Sequence, residues 1–306
     1  MKAVLDYIEL KKQNFSQLPF LTYLRDDSID PLQRLGFIPC AAPFIMSFGE
    51  LNKTVFRDES SSDQLQTIIN KHTYEDDHHW LWFLEDIEKL GLNRPLNFRE
   101  ALAALWKEET ISARRVAHEL YRLTYQSSPL QKLVVIEAAE ATGNAFLAVS
   151  SAVVHTLEVA NQEKYRYFGS GHLIVDTGHT YCSPAVQKYI ESIELSEAER
   201  AEKYQLVDQV FAAFTDFMAD LLTYAKTHPV AALPQPQRRI GTCLLEAGLI
   251  TLEQLDIALL EQQTRPARLG EILAQHGWVD PQTVDFMVSH VVRSNSNSVE
   301  PLAVLN

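Results

Sequence analysis

The chain has 306 residues, of which 46% are hydrophobic and 22% are charged, and its formal net charge is −13. This composition is ordinary for a globular protein, and the acidic balance argues against nucleic acid or an anionic membrane surface as the main partner. Three scattered cysteines indicate neither a disulfide framework nor a zinc knuckle, and the N-terminus has no apolar signal segment. We therefore expect a cytoplasmic protein without membrane insertion.

Helical periodicity dominates the first three quarters of the chain. Residues 61–91 are typical of one long helix that starts after a serine cluster and stops at a glycine. Residues 127–160 open with Pro129 at a first helical position and continue with few charges, which predicts a buried central helix. Residues 195–228 begin with a capping-box sequence. The apolar residues at helical spacing in this segment are expected to lie in the core: Val207, Val210, Phe211, Phe214, Phe217, Met218, Leu221 and Leu222. Since no turn flanked by alternating strands occurs, we predict an all-α fold.

The composition changes near residue 227, where three prolines within a short stretch indicate a semi-rigid linker. After it, one pattern is written twice, at 239–262 and at 268–291. Each copy opens with Arg, an apolar residue and Gly, and has a second Gly nine residues after the Arg. Repeats this regular are usually one supersecondary unit duplicated, with each half covering the other's apolar face. The predicted parts are a first domain at 1–226, a linker at 227–238, a second domain at 239–293 and a polar tail at 294–306.

Metal-ligating residue types occur at helical spacing on the first predicted helix. Glu75 and His79 are four residues apart, His72 and His79 are seven apart, and Asp76 lies one position round from Glu75. Residues at these spacings share a helix face. A solvated helix face is the alternative interpretation of this group.

Two carboxylates interrupt the otherwise apolar central helix, at Glu137 and Glu140. An uncompensated carboxylate there would cost several kcal/mol or take up a proton. The alternatives are metal ligation or an ion pair with Arg114 or Arg115.

A third group, in the stretch GHLIVDTGH at 171–179, places His172, Asp176 and His179 on one face if the segment is helical. Its glycines each oppose a helix by about 1 kcal/mol, a cost that metal ligation would offset. A loop is the alternative. In helical bundles, metal ions that react with oxygen are held by carboxylates and imidazoles that converge from several helices. The three groups together therefore predict a metal centre.

These segments resemble the heme-oxygenase-like fold, specifically its diiron oxidase and oxygenase branch, which includes the chlamydial death-domain-associating protein. That branch has a Glu-plus-His helix ending in Trp and Leu-Gly, a lone Glu on a central helix, and an H-x3-D-x2-H helix. The matching positions are Glu75, His79, Trp82 and Leu90-Gly91, then Glu137 or Glu140, then His172, Asp176 and His179. The family often separates its first Glu and His by six residues, and His72 occupies that earlier position here. The resemblance covers residues 15–226.

The resemblance implies an all-α heme-oxygenase-like bundle that holds two iron ions, activates dioxygen and oxidises a small organic substrate. Because His72 departs from the family pattern, a single ion or a mixed iron–manganese pair is also open, as is the choice between Glu137 and Glu140. Trp80, Trp82 and Tyr74 either line a pocket or pack in the core. The alternative function is a metal-free helical scaffold that acts as a signalling adaptor.

The repeated pattern resembles the N-terminal domain of type II secretion and type IV pilus assembly ATPases, which has two motifs of this length and spacing. In many members each motif binds half of cyclic di-GMP. The resemblance implies nucleotide contacts from Arg239, Ile240, Gly241, Leu255, Leu259, Gln262, Arg268, Leu269 and Gly270. Val291 stands where the second motif has Gln, and a helical docking domain is the alternative. A small-molecule substrate and a cyclic dinucleotide are thus the expected partners, and a homodimer is compatible with the sequence.

Overall fold

The computed structural model describes residues 1–93, 96–177, 183–230, 240–265 and 267–288. Every regular element in these ranges is helical, so the all-α prediction is confirmed. The chain divides into an N-terminal unit, Met1–Val230, and a C-terminal unit, Ala231–Asn306. The predicted linker beyond Val230 and the predicted polar tail lie outside the described residues.

Twelve α-helices are described in the N-terminal unit, together with two short turns of other helix types. In chain order the α-helices are α1 (Lys2–Phe15), α2 (Pro19–Leu24), α3 (Pro31–Arg34), α4 (Ile38–Leu51), α5 (Gln64–Asp76), α6 (His79–Lys89), α7 (Phe98–Leu105), α8 (Ile111–Thr124), α9 (Pro129–Asn161), α10 (Ser170–Thr177), α11 (Pro184–Ser192) and α12 (Glu197–Thr227). A π-helical turn, Asn52–Phe56, follows α4, and a 3₁₀ turn, Glu108–Thr110, precedes α8.

Helix α9 is the centre of the bundle, as the sequence predicts. It begins at Pro129, and the Ser128 hydroxyl accepts a hydrogen bond from the backbone N–H of Gln131 at its N-terminus. Helices α1, α5, α8, α10 and α12 all pack against it. Among the described residues it is the one helix long and apolar enough to cross a membrane, but 67% of its most apolar window is buried inside the protein. Its apolar length is that of a helix surrounded by other helices.

Helix α12 forms the second long wall of the core. The predicted capping box is present, with the Ser196 side chain bound to the backbone of Glu199 and the Glu199 carboxylate bound to the backbone of Ser196. The predicted core residues are buried except for Leu222, which is half-buried. The core prediction for this helix is therefore confirmed in all but one position.

The prediction of one long helix over 61–91 is wrong, because the helix is interrupted at Asp77 and His78. Two contacts hold this break. The Arg57 guanidinium binds the Asp77 carboxylate, with Nη2 at 2.7 Å from Oδ2. A Cβ on Gly49 would lie 3.0 Å from the Asp77 carbonyl oxygen and 2.9 Å from Cδ1 of Trp80, so the missing side chain lets α4 approach the broken backbone closely. As a result, the residues before and after the break lie on separate helices, α5 and α6.

The segment 171–177 is helical, since α10 runs from Ser170 to Thr177. Asp86, buried on α6, fixes the turn before it by accepting the backbone N–H groups of Arg166, Tyr167 and Phe168 at 2.8, 2.8 and 3.0 Å. Burial raises the pKa of Asp86 above its ordinary value, while the three N–H groups act in the opposite direction. The Asp86 side chain thus ties the turn before α10 to α6.

The C-terminal unit contains the predicted duplication. Its described helices are α13 (Ile240–Glu246), α14 (Leu252–Thr264), α15 (Leu269–Gln275) and α16 (Pro281–Phe286), so each member of the second pair starts 29 residues after its counterpart. Two residues after the first helix of each pair lies a glycine with positive φ, Gly248 at 67° and Gly277 at 71°. The second helix of each pair has a side-chain N-cap, from Thr251 and from Asp280. Both halves therefore use the same helix stops and starts.

Two buried glycines, Gly241 and Gly270, hold the two helix pairs together. A Cβ on Gly241 would lie 2.7 Å from Cδ1 of Leu255 and 2.9 Å from Cδ2 of Leu269. A Cβ on Gly270 would lie 2.5 Å from Cγ1 of Val284 and 3.7 Å from Cδ1 of Ile240. Each glycine thus faces the second helix of its own motif and the residue before the glycine of the other motif. The side chains that the two glycines face are half-buried and pack against the small core of the unit.

We expect alanine to be tolerated at Gly241 and not at Gly270. The Leu255 methyl group sits at the end of a flexible side chain and can move, and alanine gains up to about 1 kcal/mol in helix propensity. Val284 is β-branched and stiff, so Gly270→Ala should destabilise the unit by about 1–3 kcal/mol through overpacking. Hydrogen exchange of peptides from α15 in the full chain measures both variants. Equal protection in the two variants would contradict this packing account.

Candidate metal centre

Three ligating side chains from two helices meet in the interior of the N-terminal unit. His72 and Asp76 lie one turn apart on α5, and Glu140 reaches them from α9. His72 Nε2 is 3.0 Å from Asp76 Oδ2 and 3.6 Å from Glu140 Oε1. One ligand atom from each residue lies within 4.8 Å of the others. Imidazole and carboxylate groups are ligands that divalent first-row metals accept, so these three side chains fit such a metal ion.

Two further histidines extend this cluster. His79, the first residue of α6, places Nδ1 at 3.5 Å from Asp76 Oδ1. His172, on α10, places Nε2 at 2.9 Å from His79 Nδ1. The His79 ring also stacks on Trp82, with ring centroids 4.2 Å apart. Four segments of the chain therefore deliver imidazoles or carboxylates to one buried place, and we call these five residues the cluster: His72, Asp76, His79, Glu140 and His172.

The orientation of His172 is set by the turn before its helix. Its Nδ1 lies 2.7 Å from the carbonyl oxygen of Tyr167. A carbonyl only accepts, so Nδ1 is the donor, and in the neutral ring Nε2 then has a lone pair directed at the cluster. Since Asp86 binds the backbone N–H of Tyr167, the chain from Asp86 through Tyr167 to His172 fixes which nitrogen is available as a ligand.

The remaining predicted ligands have different places. Glu75 is half-buried one position round α5 from Asp76, and Glu137 is half-buried one turn before Glu140 on α9. The side chain of Asp176 and the whole of His179 lie outside the described residues. The proposed ion-pair partner Arg114 donates to the carbonyl oxygen of Leu105 at 2.8 Å and not to either glutamate.

Asp76 is the cluster residue that the sequence analysis did not select. His72 and Asp76 have the same four-residue spacing as Glu75 and His79, so helical geometry alone favours neither pair. The sequence analysis selects only Glu75 and His79 as such a pair. The break after Asp76 decides between them, because helical spacing across residues 77 and 78 no longer places Glu75 and His79 on one face.

Burial and neighbouring charges shift the protonation of the site. Burial lowers the pKa of His72, but the Asp76 and Glu140 carboxylates outweigh it and hold this pKa well above its ordinary value. Removal from water raises the pKa of Glu137 to about 7; His72 opposes the shift and Glu140 adds to it. The site without metal therefore binds protons that a divalent cation would displace.

An apolar cavity of about 110 Å³ adjoins the cluster. Its walls come from α4, α9, α12 and the 167–172 segment, and are mainly aromatic. The predicted core residues Phe214, Phe217, Met218 and Leu221 face it, as does Trp80. Tyr74, by contrast, is exposed and lies under the Arg57 guanidinium. At one end the lining consists of cluster residues, namely Asp76, His79, Glu140 and His172.

The predicted nucleotide residues are divided between core and surface of the C-terminal unit. Gly241 and Gly270 are buried, and Ile240, Leu255 and Leu269 are half-buried around them. Leu259, Gln262 and Arg268 are exposed. The Gln262 side chain donates to the carbonyl oxygen of Ala267 at 3.0 Å. Arg239 lies outside the described residues.

Comparison with known proteins adds no relative: no family model matches the chain, and no curated protein matches it. The interpretation of the site therefore depends on the geometry above and on the resemblance of the sequence motifs.

We expect Glu137 to make the metal-free protein less stable at higher pH. Folding raises the pKa of this carboxyl group from 4.5 to about 7. Its contribution to stability is therefore fully present below a pH of about 4.5 and is lost as the pH rises through about 7. The loss amounts to about 3 kcal/mol over the whole range, and about 2 kcal/mol of it falls between about pH 5.5 and about pH 8. Urea unfolding of chelator-treated protein at about pH 5.5 and about pH 8 should show a loss of about 2 kcal/mol in the natural chain and a smaller one in Glu137→Gln. The exposed Glu88→Gln variant is the control, and an unchanged pH dependence in Glu137→Gln would contradict the assignment.

Proposed function

We propose that the N-terminal unit is a non-haem iron oxidase or oxygenase that uses dioxygen to oxidise a small organic substrate. The observation that supports this most is that four residues of the cluster, Asp76, His79, Glu140 and His172, also line the aromatic cavity. A structural metal needs no such cavity, and a substrate pocket needs no such set of ligands. Their combination is what an oxidation at a metal requires.

The residues have separate tasks in this proposal. His72, Asp76, Glu140, His79 and His172 would hold the metal, and Glu137, Asp176 and His179 are further candidate ligands. Bound iron would supply the capacity to reduce dioxygen. The Tyr167 carbonyl orients His172, and the aromatic walls keep water away from the reacting group. Glu137, with a pKa of about 7 in the metal-free protein, holds or releases a proton one turn from Glu140.

The resemblance to the diiron branch of the heme-oxygenase-like fold supports two iron ions. His72 departs from the family pattern in which a glutamate precedes His79 by seven positions. Asp76 supplies a carboxylate from the same helix and so compensates for this change. If the site bound no metal, the alternative would be a helical scaffold that acts as a signalling adaptor.

We expect the anaerobically purified chain to retain about two iron ions after loading with ferrous iron, and to develop a transient absorption band when oxygen is added. Asp76→Asn should lose most of this iron, because it removes a negative charge from the centre of the cluster. Glu75→Gln should retain it. Metal analysis and stopped-flow absorbance measure these outcomes.

The pair Asp76→Asn and Glu75→Gln also decides between the two neighbouring carboxylates on α5. Iron loss in Glu75→Gln with retention in Asp76→Asn would contradict the assignment of Asp76. Failure of the natural chain to retain iron would contradict the oxidase proposal and favour the scaffold. Circular dichroism of both variants shows whether the bundle is intact.

A second proposal concerns the C-terminal unit, which we infer to bind a cyclic dinucleotide such as cyclic di-GMP. The supporting observation is that Leu259, Gln262 and Arg268, three motif residues assigned to the ligand, are exposed and not part of the core. Arg268 would pair with a phosphate or stack on a guanine base. The two glycines have a packing role that is independent of any ligand.

We expect cyclic di-GMP to bind the full chain in a calorimetric titration, and GTP to bind at least tenfold more weakly. Arg268→Ala should weaken the binding about 10- to 100-fold, because a charge-assisted hydrogen bond is lost. Arg265→Ala is the matched control, since Arg265 lies between the motifs and pairs with Glu261 at 2.7 Å. Equal losses in the two variants, or no binding at all, would overturn the proposal.

A further inference from the structure

The cavity beside the cluster has a specific chemical character. The residues lining it include Phe37, Phe44, Phe48, Phe146, Phe168, Phe214 and Phe217, and no lysine or arginine is among the described lining residues. Among the described lining residues, the carboxylates belong to the cluster, at Asp76 and Glu140. The Thr142 hydroxyl, which also lies at the cavity, donates to the carbonyl oxygen of Ala139 within α9. Away from the cluster, the described lining is apolar and mostly aromatic.

The aromatic walls of the cavity pack against one another. Phe44 packs edge-on against Phe214 and Phe217, with ring centroids 5.3 and 5.5 Å apart. Phe37 packs edge-on against Phe146 at 5.7 Å. Such pairs restrict the rings to one arrangement, so the cavity has a defined size. Its volume of about 110 Å³ is somewhat below that of an apolar cavity of about 150 Å³ that holds benzene.

One glycine in the middle of α9 keeps this space open. Gly143 lines the cavity three residues after Glu140, and a Cβ built on it would meet no atom of the described residues within 4 Å, its own helix backbone apart. Glycine inside a helix is less favourable than alanine, and no packing contact with a described residue requires it at this position. The missing side chain thus weakens the central helix and adds room beside the cluster.

We propose that the cavity binds an uncharged, apolar group of about the size of a benzene ring, and that Gly143 sets the size limit. This inference rests on the proposed oxidase function, because it names the substrate class of the same site. An anionic group at the aromatic side of the cavity, away from the cluster, would be buried beside no lysine or arginine of the described lining, and a cationic group would have to compete with metal for Asp76 and Glu140. The substrate class is therefore an aromatic or compact hydrocarbon group whose reacting carbon faces the cluster.

Substitutions at Gly143 can distinguish a role in substrate binding from a structural role, because the two roles predict different changes in stability and in probe binding. Gly143→Ala should raise the melting temperature by about 2–4 °C, because the helix gains propensity without a clash. The same variant should bind an apolar probe several-fold more weakly, and Gly143→Leu should weaken it at least tenfold by filling the space. A glycine with a purely structural role would show the opposite change in stability.

The experiment titrates toluene and benzoate, two probes of similar size and different charge, into the full chain after chelator treatment. Toluene should bind, and benzoate should bind at least tenfold more weakly. Ala148→Leu, on the exposed face of the same helix, is the matched control and should bind toluene like the natural chain. Circular dichroism and melting curves show that each variant is folded.

Three results would overturn the proposal: no saturable toluene binding, benzoate binding as tight as toluene binding, or unchanged toluene binding in Gly143→Leu. None of these measurements involves iron or oxygen. Toluene binding in a chain that retains no iron would therefore leave the cavity assignment intact and remove only the oxidase function.

Discussion

The burial of carboxylates inside an apolar helical bundle is the constraint on which the rest of the structure depends. Asp76 is 4% exposed, and Glu137 and Glu140 lie among apolar residues of the central helix α9. A carboxylate removed from water is costly unless a cation, a proton or hydrogen-bond donors compensate it. His72 partly compensates these groups, and protonation of Glu137 does the same at neutral pH. A divalent cation would compensate all of them at once.

The positions of the cluster residues follow from contacts that lie outside the cluster. Arg57 and the close approach at Gly49 hold the break between α5 and α6, so His79 starts a new helix beside Asp76. Asp86 holds the turn that orients His172 through the Tyr167 carbonyl. These contacts act on backbone segments, and they help to bring the cluster residues together from four segments of the chain. The same arrangement leaves a space bounded by aromatic rings beside the cluster.

The sequence predicts the local features of the fold well, because they depend on neighbouring residues. The N-terminus of α9 at Pro129, the capping box of α12 and the 29-residue duplication are examples. The break in 61–91 was missed because its causes, Arg57 and Gly49, come from other elements. The choice of Glu75 over Asp76 follows from the same error, since it assumed continuous helical geometry across the break.

Other features of the site depend on tertiary packing and are hidden in the sequence. A glycine in a helix looks the same whether it permits a close helix contact, as at Gly270, or leaves open space, as at Gly143. Only the neighbouring atoms distinguish a packing role from a role in shaping a cavity. The three groups of ligand-type residues predict a metal centre, and the structure adds Asp76, the orientation of His172 and the apolar cavity.

The most direct test of the central claim is the location of bound iron in crystals of the loaded full chain. Anomalous diffraction measured on both sides of the iron absorption edge identifies iron by its position. The account predicts a strong peak between His72, Asp76 and Glu140, with any second peak beside His79 and His172. No peak at these residues, or iron only at the protein surface, would contradict the claim that this buried cluster is a metal centre.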